Sequence, residues 1–269
     1  MADVRVLVIR AAGINCDEEV MHAWRLAGVS PSLVHINALA GKPTMLDDYS
    51  ILTIPGGFSY GDDIAAGAIL ARRLQDDLAE RLRAFVNGGG GVLGICNGFQ
   101  VLVKMGLLPG GEFGRDQVTV TFNASAKFEA RWVRLQVCTA CCPYLQEGNV
   151  LEMPVEHAEG KIVTADDKIT EKLIRTGQVA VRYVDVEGRH DVYPANPNGS
   201  TAGIAGLCDS TGRIFGLMPH PDRHFDHTQH PHWTRRNSPT RPPDGLTVFQ
   251  NAVRFWSRLT PCPSERGSG

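Results

Sequence analysis

The chain is short of the features that mark several function classes. Its 27 Lys and Arg are balanced by 29 Asp and Glu, a net charge of −2, so it lacks the basic excess of a nucleic-acid binder. No Lys/Arg run offers a patch to an anionic membrane surface. No apolar stretch approaches the roughly 20 residues that a membrane-spanning helix needs. Met1-Ala2-Asp3-Val4-Arg5 runs straight into a strand-like segment, without the order of a secretory leader. The seven cysteines are an odd number without the spacing of a disulfide framework, which fits a reducing compartment. Cys138, Cys141 and Cys142 hint at metal ligands, but the second pair that a structural zinc site uses does not follow. No Gly-x-x-x-x-Gly-Lys run is present to cradle a nucleotide phosphate. A soluble cytoplasmic protein, with no nucleic acid, no membrane and no metal ligands, is expected.

What the chain has in quantity is alternation. Val4 to Ile9 is β-branched and strand-like, and Asp17 to Ala27 carries Val20, Ala23, Trp24 and Ala27 at helical intervals before Gly28. Strands are expected at Ser32–Ile36, Ile51–Ile54 and Gly91–Ile95, with a helix over Ile64–Val86 between the last two. Strand–helix alternation implies βαβ units and a parallel sheet covered on both faces. Beyond about Gly110 the pattern shifts to short strands separated by turns: Thr119–Phe122, Arg131–Cys138, Val150–Met153, Lys161–Thr164 and Val179–Val184, with a helix over Ala165–Thr176. Ile204–Leu207 and Arg213–Met218 read as a hairpin around Asp209-Ser210-Thr211-Gly212, and Asp244–Leu259 as a closing helix. The layout is α/β: one domain over residues 1–259 with a central, mostly parallel sheet flanked by helices and an antiparallel elaboration. The Pro-, Ser- and Gly-rich stretch 260–269 is expected to be a disordered tail.

Chemistry concentrates at Val92-Leu93-Gly94-Ile95-Cys96-Asn97-Gly98-Phe99-Gln100. A strand followed at once by a helix puts Cys96 on a sharp corner, and Gly94 and Gly98 leave room for the bend. The helix aims its N-terminal amides and positive dipole end at the sulfur, which favours the thiolate. The bland alternative is a buried cysteine acting as a small hydrophobe. A nucleophilic thiol needs a base and a group to orient it. His220, held between Pro219 and Pro221, is the candidate base, and Asp222 is close enough in an extended segment to hold its far nitrogen. Asp226 is a rival for that role. A strand ending in Pro55-Gly56-Gly57 can offer the Gly57 N–H to a developing oxyanion, with the amide of Asn97 as a second donor. His224, His227, His230 and His232 with His220 tempt a metal reading, although loop histidines are more often solvated or packed. Cys16 reads as a packing thiol.

The chain resembles the class I, triad-type glutamine amidotransferases. More narrowly, it is similar to the PurQ-type glutaminase subunits of phosphoribosylformylglycinamidine synthase. The resemblance rests on Gly13-Ile14-Asn15-Cys16-Asp17, Pro55-Gly56-Gly57-Phe58-Ser59-Tyr60-Gly61-Asp62, Gly94-Ile95-Cys96-Asn97-Gly98-Phe99-Gln100, Pro154-Val155-Glu156-His157-Ala158-Glu159-Gly160, Asn196-Pro197-Asn198-Gly199-Ser200 and Met218-Pro219-His220-Pro221. It implies a flavodoxin-like fold and hydrolysis of glutamine through a Cys96 thioester. It also implies that Phe58 and Gln100 help hold the substrate. Ammonia would pass to a synthetase partner, with a small accessory subunit, and ATP and Mg would be used by that partner rather than by a cofactor of this chain. Asp222 departs from the family's usual Glu two residues after the catalytic His. The readings set against this one are a stand-alone cysteine hydrolase of related fold and an inactive regulatory subunit.

Overall fold

The computed structural model describes residues 4–110, 116–235 and 241–259. The first half alternates strand and helix as the periodicity predicts: β1 (Val6–Arg10), α1 (Asp17–Leu26), β2 (Ser32–His35), α2 (Ile36–Gly41), β3 (Ile51–Ile54), α3 (Ala68–Asn87), β4 (Gly91–Ile95) and α4 (Asn97–Lys104). Helix α1 opens on Asp17, Glu18 and Glu19, favourable at the positive end of its dipole, and buries Val20, Ala23 and Trp24. Trp24 is completely buried and its Nε1 donates to Thr53 Oγ1 at 3.1 Å, so the indole keeps a polar partner inside the core.

Two local features depart from the sequence expectation. Helix α3 starts at Ala68 rather than Ile64, because Gly67 holds a φ of 74°, outside the right-handed helical region. Ile64 is left 79% exposed on the loop before it. Helix α2 was not expected; it follows directly on β2, and the His35 side chain caps it by accepting from Asn37 N–H.

The second half contains β5 (Val118–Thr121), β6 (Glu129–Val137), β7 (Val150–His157), β8 (Lys161–Thr164), α5 (Asp167–Arg175), β9 (Val179–Val184), β10 (Ile204–Cys208), β11 (Ile214–Leu217) and α6 (Asp244–Leu259). Strand β7 runs to His157, through Pro154, where the sequence suggests a stop at Met153. The proline is tolerated because β7 lies at the sheet edge, where a missing N–H breaks no ladder. The expected tail, 260–269, lies outside the described residues.

Nine strands form one sheet in the order β2-β1-β3-β4-β11-β10-β9-β6-β7, and β5 pairs with β8 separately. From β2 to β11 the four pairings are parallel. From β11 to β7 the four pairings are antiparallel. The antiparallel part is thus continuous with the parallel one and contributes as many pairings. Every residue of β3, β4, β10 and β11 is buried, the pattern of strands covered on both faces. Helix α1 packs on α6, with Trp24 and Phe249 edge to face at 4.9 Å, and α3 packs on α4. Among the described residues no helix is long and apolar enough to cross a membrane.

Four neighbouring parallel strands, β1, β3, β4 and β11, end at the same edge of the sheet. In an open parallel sheet that carboxyl edge is where ligands bind. The loops leaving these four strands carry Cys16, Gly56-Gly57, Cys96 and His220.

Candidate active site

Cys96 joins β4 to α4 at φ 50°, ψ −105°, a conformation that costs a non-glycine residue about 1–3 kcal/mol and persists only where its surroundings enforce it. The surroundings here are backbone. A Cβ on Gly98 would lie 1.9 Å from the Ile54 carbonyl oxygen, and one on Gly94 would lie 2.7 Å from the Gly98 oxygen. The two glycines are needed for close approach of α4 to β3 and β4, more than for freedom of the bend itself. Cys96 N–H donates to Leu217 O at 2.8 Å, which ties the elbow to the end of β11. The thiol is 6% exposed, and its Sγ is 3.7 Å from the Glu156 carbonyl oxygen.

His220 leaves β11 three residues past Leu217, and its N–H donates to Pro154 O at 2.8 Å. Its ring is buried, and Nδ1 lies 3.3 Å from Oδ1 of the fully buried Asp222. Burial opposes a charged imidazole most strongly. The negative charges of Asp222 and the Cys96 thiolate outweigh it and raise the His220 pKa well above its ordinary value. Asp226 does not compete. It caps the next 3-10 turn, accepting from Thr228 N–H at 2.8 Å and Thr228 Oγ1 at 2.6 Å, and the exposed Thr228 hydroxyl and amide hold its pKa down.

Gly57, φ 135°, sits where the loop after β1 crosses the loop after β3. A Cβ there would fall 2.7 Å from Asn15 N and Gly13 O. Phe58 N–H donates to Gly13 O and Tyr60 N–H to Ala12 O, both at 2.8 Å. The Asn97 amide stands at the first position of α4, where an N–H has no acceptor within its own helix. Phe58 is half exposed at the rim. The Asn97 and Gln100 side chains are buried and bound to the protein. Asn97 Oδ1 accepts from Ser59 N–H, while its Nδ2 donates to Asp62 Oδ1 and Gln100 Oε1. Gln100 Nε2 in turn donates to the Glu159 carbonyl. These two residues therefore pin the loops after β3 and β7 to the elbow helix.

Several residues of the site escaped sequence reasoning. Arg223 bridges Glu156, Glu19 and the Cys16 sulfur. His157 is buried, its Nδ1 3.1 Å from Asn123 Oδ1, and burial, with the His220 charge second, lowers its pKa to about 4. Glu156 and His157 lie in one of the blocks that carry the resemblance, which was the available signal. Asn123 and Arg223 gave none. Asn198 and Ser200, from another such block, hold Gly160 O and Ile162 N–H. The histidines after His220 go to other duties: His224 Nδ1 meets Glu152 O at 2.6 Å, His230 Nε2 lies 3.1 Å from Glu152 Oε2, and both rings pack on Trp132. The cysteine run also separates, Cys138 turning to Gln136 O while Cys141 Sγ lies 3.9 Å from Cys208 Sγ.

The chain is similar to known proteins. Residues 3–256 match the model of the CobB/CobQ-like glutamine amidotransferase domain. The chain is 44% identical over 260 residues to the phosphoribosylformylglycinamidine synthase subunit PurQ of Dehalococcoides mccartyi, covering 96% of this chain and 99% of the relative. It is 38% identical to the PurQ subunit of Methanococcus maripaludis, covering 94% and 98%. The solved structure of PurLQS from Thermotoga maritima matches with a TM-score of 0.71 at 32% identity, covering 94% of this chain and 99% of that one. The strained cysteine elbow, the buried His–Asp pair and these likenesses agree, and the chain belongs to the PurQ family of glutamine amidotransferases.

Proposed function

We propose that this chain is the glutaminase subunit of a phosphoribosylformylglycinamidine synthase, hydrolysing glutamine and delivering ammonia to a synthetase partner. The observation that carries the reading is Cys96 on its strained elbow beside the buried His220–Asp222 pair. Family membership supplies glutamine as the amide. The PurQ relatives are named as subunits of that synthase, and the PurLQS structure supports a synthetase and a small accessory subunit as partners.

In this reading the Cys96 thiolate attacks the side-chain amide carbon of glutamine. The oxygen that gains charge is held by the Gly57 and Asn97 amides. His220 as imidazolium gives its proton to the departing nitrogen, the C–N bond breaks, and ammonia leaves a γ-glutamyl thioester. Neutral His220 then takes a proton from water, whose oxygen adds to the thioester carbon; the C–S bond breaks and glutamate departs. Asp222 holds the imidazole in one orientation and favours its charged form. Phe58 at the rim and Gln100 behind the elbow hold the substrate, Gln100 through the loops that it pins. Ammonia released to water would be mostly ammonium, which is not a nucleophile, so direct delivery to the partner is required. ATP and Mg belong to the partner, in keeping with a chain that lacks a Gly-x-x-x-x-Gly-Lys run. The free cysteines agree with a cytoplasmic setting.

The test is glutamate release by the purified chain with and without synthetase, ATP and formylglycinamide ribonucleotide. Release should rise strongly with the partner. Cys96→Ser should abolish glutamine-dependent amidation and leave the ammonia-dependent reaction of the complex intact. Retention of glutamine use by that variant would refute the assignment.

A further inference from the structure

The mechanism leaves a second buried thiol unused. Cys16 is 2% exposed and reaches the site from the loop after β1. A Cβ placed on Gly56 would meet His220 Cε1 at 2.8 Å, Cys16 Sγ at 3.3 Å and Cys96 Cβ at 3.5 Å. The missing side chain of Gly56 thus lets both cysteines and the histidine approach one point. A ligand atom each from Cys16, His220 and Asp222 lies within 4.8 Å of the other two, and all three residues are buried. Among the described residues this is the one such group of Cys, His and carboxylate side chains.

The polar atoms of this group are poorly served by the protein itself. Both His220 ring nitrogens and both Asp222 oxygens are buried without an aligned hydrogen-bond partner. His220 Nδ1 and Asp222 Oδ1 stand 3.3 Å apart. Buried polar atoms of this kind are rare and call for a ligand or a role.

We infer that Cys16, His220 and Asp222 form an inhibitory site for a thiophilic divalent cation of the zinc class, which occupies the catalytic base and silences the glutaminase. Thiolate, imidazole and carboxylate are the donor types that zinc takes, and its bond lengths imply ligand-to-ligand spacings of about 3.3–3.8 Å. The group, whose ligand atoms lie within 4.8 Å of one another, has to contract to that range when the ion binds. Binding breaks the Cys16 S–H bond and the N–H bond of the His220 nitrogen that turns to the metal, sends both protons to solvent, and forms the metal–sulfur and metal–nitrogen bonds. The dication with one thiolate, one carboxylate and a neutral imidazole is then uncharged overall, which suits a buried setting. Arg223, donating to Cys16 Sγ at 3.4 Å, steadies the thiolate from outside. The sequence predicted no metal ligands because Cys16 and His220 are 204 positions apart and meet only through Gly56. The inhibitory half of this inference rests on the glutaminase reading; the binding half does not.

The complex with its synthetase should be assayed for glutamate release in metal-buffered zinc, and the isolated chain titrated with cadmium for sulfur-to-metal charge-transfer absorption. A Cys141→Ser background removes the exposed thiol beside Cys208. Wild type should lose release on zinc addition and recover it with chelator. Cys16→Ala and Cys16→Ser should release glutamate normally in metal-free buffer, bind zinc at least about 100-fold more weakly, the scale reached by loss of an outer-shell partner alone, and lose the Cys16-dependent absorption. Thermal melts of both variants show whether either has failed to fold, and the serine variant keeps the packing nearest to wild type. Unchanged inhibition or absorption in a folded Cys16 variant, or no binding by wild type, overturns the site. Absence of glutamate release from metal-free wild type refutes the glutaminase reading instead, and the cadmium titration still decides the site.

Discussion

The parallel and antiparallel halves of the sheet meet at β11 and treat their polar groups differently. In the parallel half the loops after β1, β3 and β4 interlock backbone to backbone. Added Cβ atoms on Gly13 and Gly98 would each lie 1.9 Å from a carbonyl oxygen. In the antiparallel half, and in the small β5–β8 sheet beside it, the loops after β5, β7 and β9 are joined through side chains, with Asn123, His157, Asn198 and Ser200 sharing buried hydrogen bonds. The half that carries the nucleophile is set by close backbone contact, to which the Asn97 side chain adds a hydrogen bond from Ser59 N–H. The half that forms the facing wall is set by hydrogen bonds, whose strength depends on protonation. Rigidity at the elbow and pH sensitivity in the wall follow from that division.

The largest effect should come where the halves touch. Asp222→Asn keeps the size of the side chain but removes the charge that favours imidazolium. Glutamine-dependent turnover of the complex should fall on the order of 10⁴-fold, while the ammonia-dependent reaction is retained. A loss under about tenfold in steady-state assay would transfer the orienting role elsewhere.

Next in size is a purely steric break of the parallel half. Gly98→Ala places its methyl against the Ile54 carbonyl, and neither backbone can retreat without moving the elbow. Destabilisation beyond about 4 kcal/mol, or failure to fold, is expected in urea unfolding. Gly41→Ala, with open space around the added Cβ, is the control and should stay within about 0.5 kcal/mol. Equal behaviour of the two variants would remove the steric account of the elbow.

These contrasts explain how much the sequence disclosed. The elbow, the 204–217 hairpin and most strand positions along the chain were legible because each is a local pattern: glycine spacing, β-branched runs and turn residues. Helix α2 was not, since Ile36-Asn37-Ala38-Leu39 is too short for periodicity and depends on the His35 cap. The late start of α3 was hidden because Ile64 to Ala66 are compatible with a helix, and the positive φ of Gly67 that excludes it has no periodic signature. Cys96, His220 and Asp222 could be placed from their flanking residues. The proximity of Cys16 could not, because a glycine's empty side is visible only once the strands are assembled. The buried His157–Asn123 pair joins residues 34 apart through β6 and β7 and has no local signature.

The antiparallel wall should reveal itself through pH. His157 in the fold has its pKa lowered to about 4 from an ordinary 6.5, so between those values the unfolded chain binds a proton that the folded chain refuses. Its contribution is complete above pH 6.5 and is lost as pH falls towards 4, amounting to about 3 kcal/mol at most. Urea unfolding of wild type between pH 7 and 4 should show this slope, and His157→Gln should flatten it. An unchanged slope in the variant would place the acid-sensitive group outside the wall.

The smallest effect belongs to the segment beyond both halves, and it separates Asp226 from Asp222. The Asp226 carboxylate accepts from Thr228 and caps a three-residue turn at the surface, whereas Asp222 is fully buried beside His220. Asp226→Ala removes only a cap, so stability should drop by no more than about 1 kcal/mol. Because Asp226 is engaged by its own turn, glutamine-dependent turnover should equal that of wild type across the pH range. Measured beside Asp222→Asn, the variant separates a carboxylate that faces His220 from one that does not. A large loss of turnover in Asp226→Ala would mean that His220 draws its orientation from the surface segment, and the division between a catalytic sheet edge and a structural outer turn would fail.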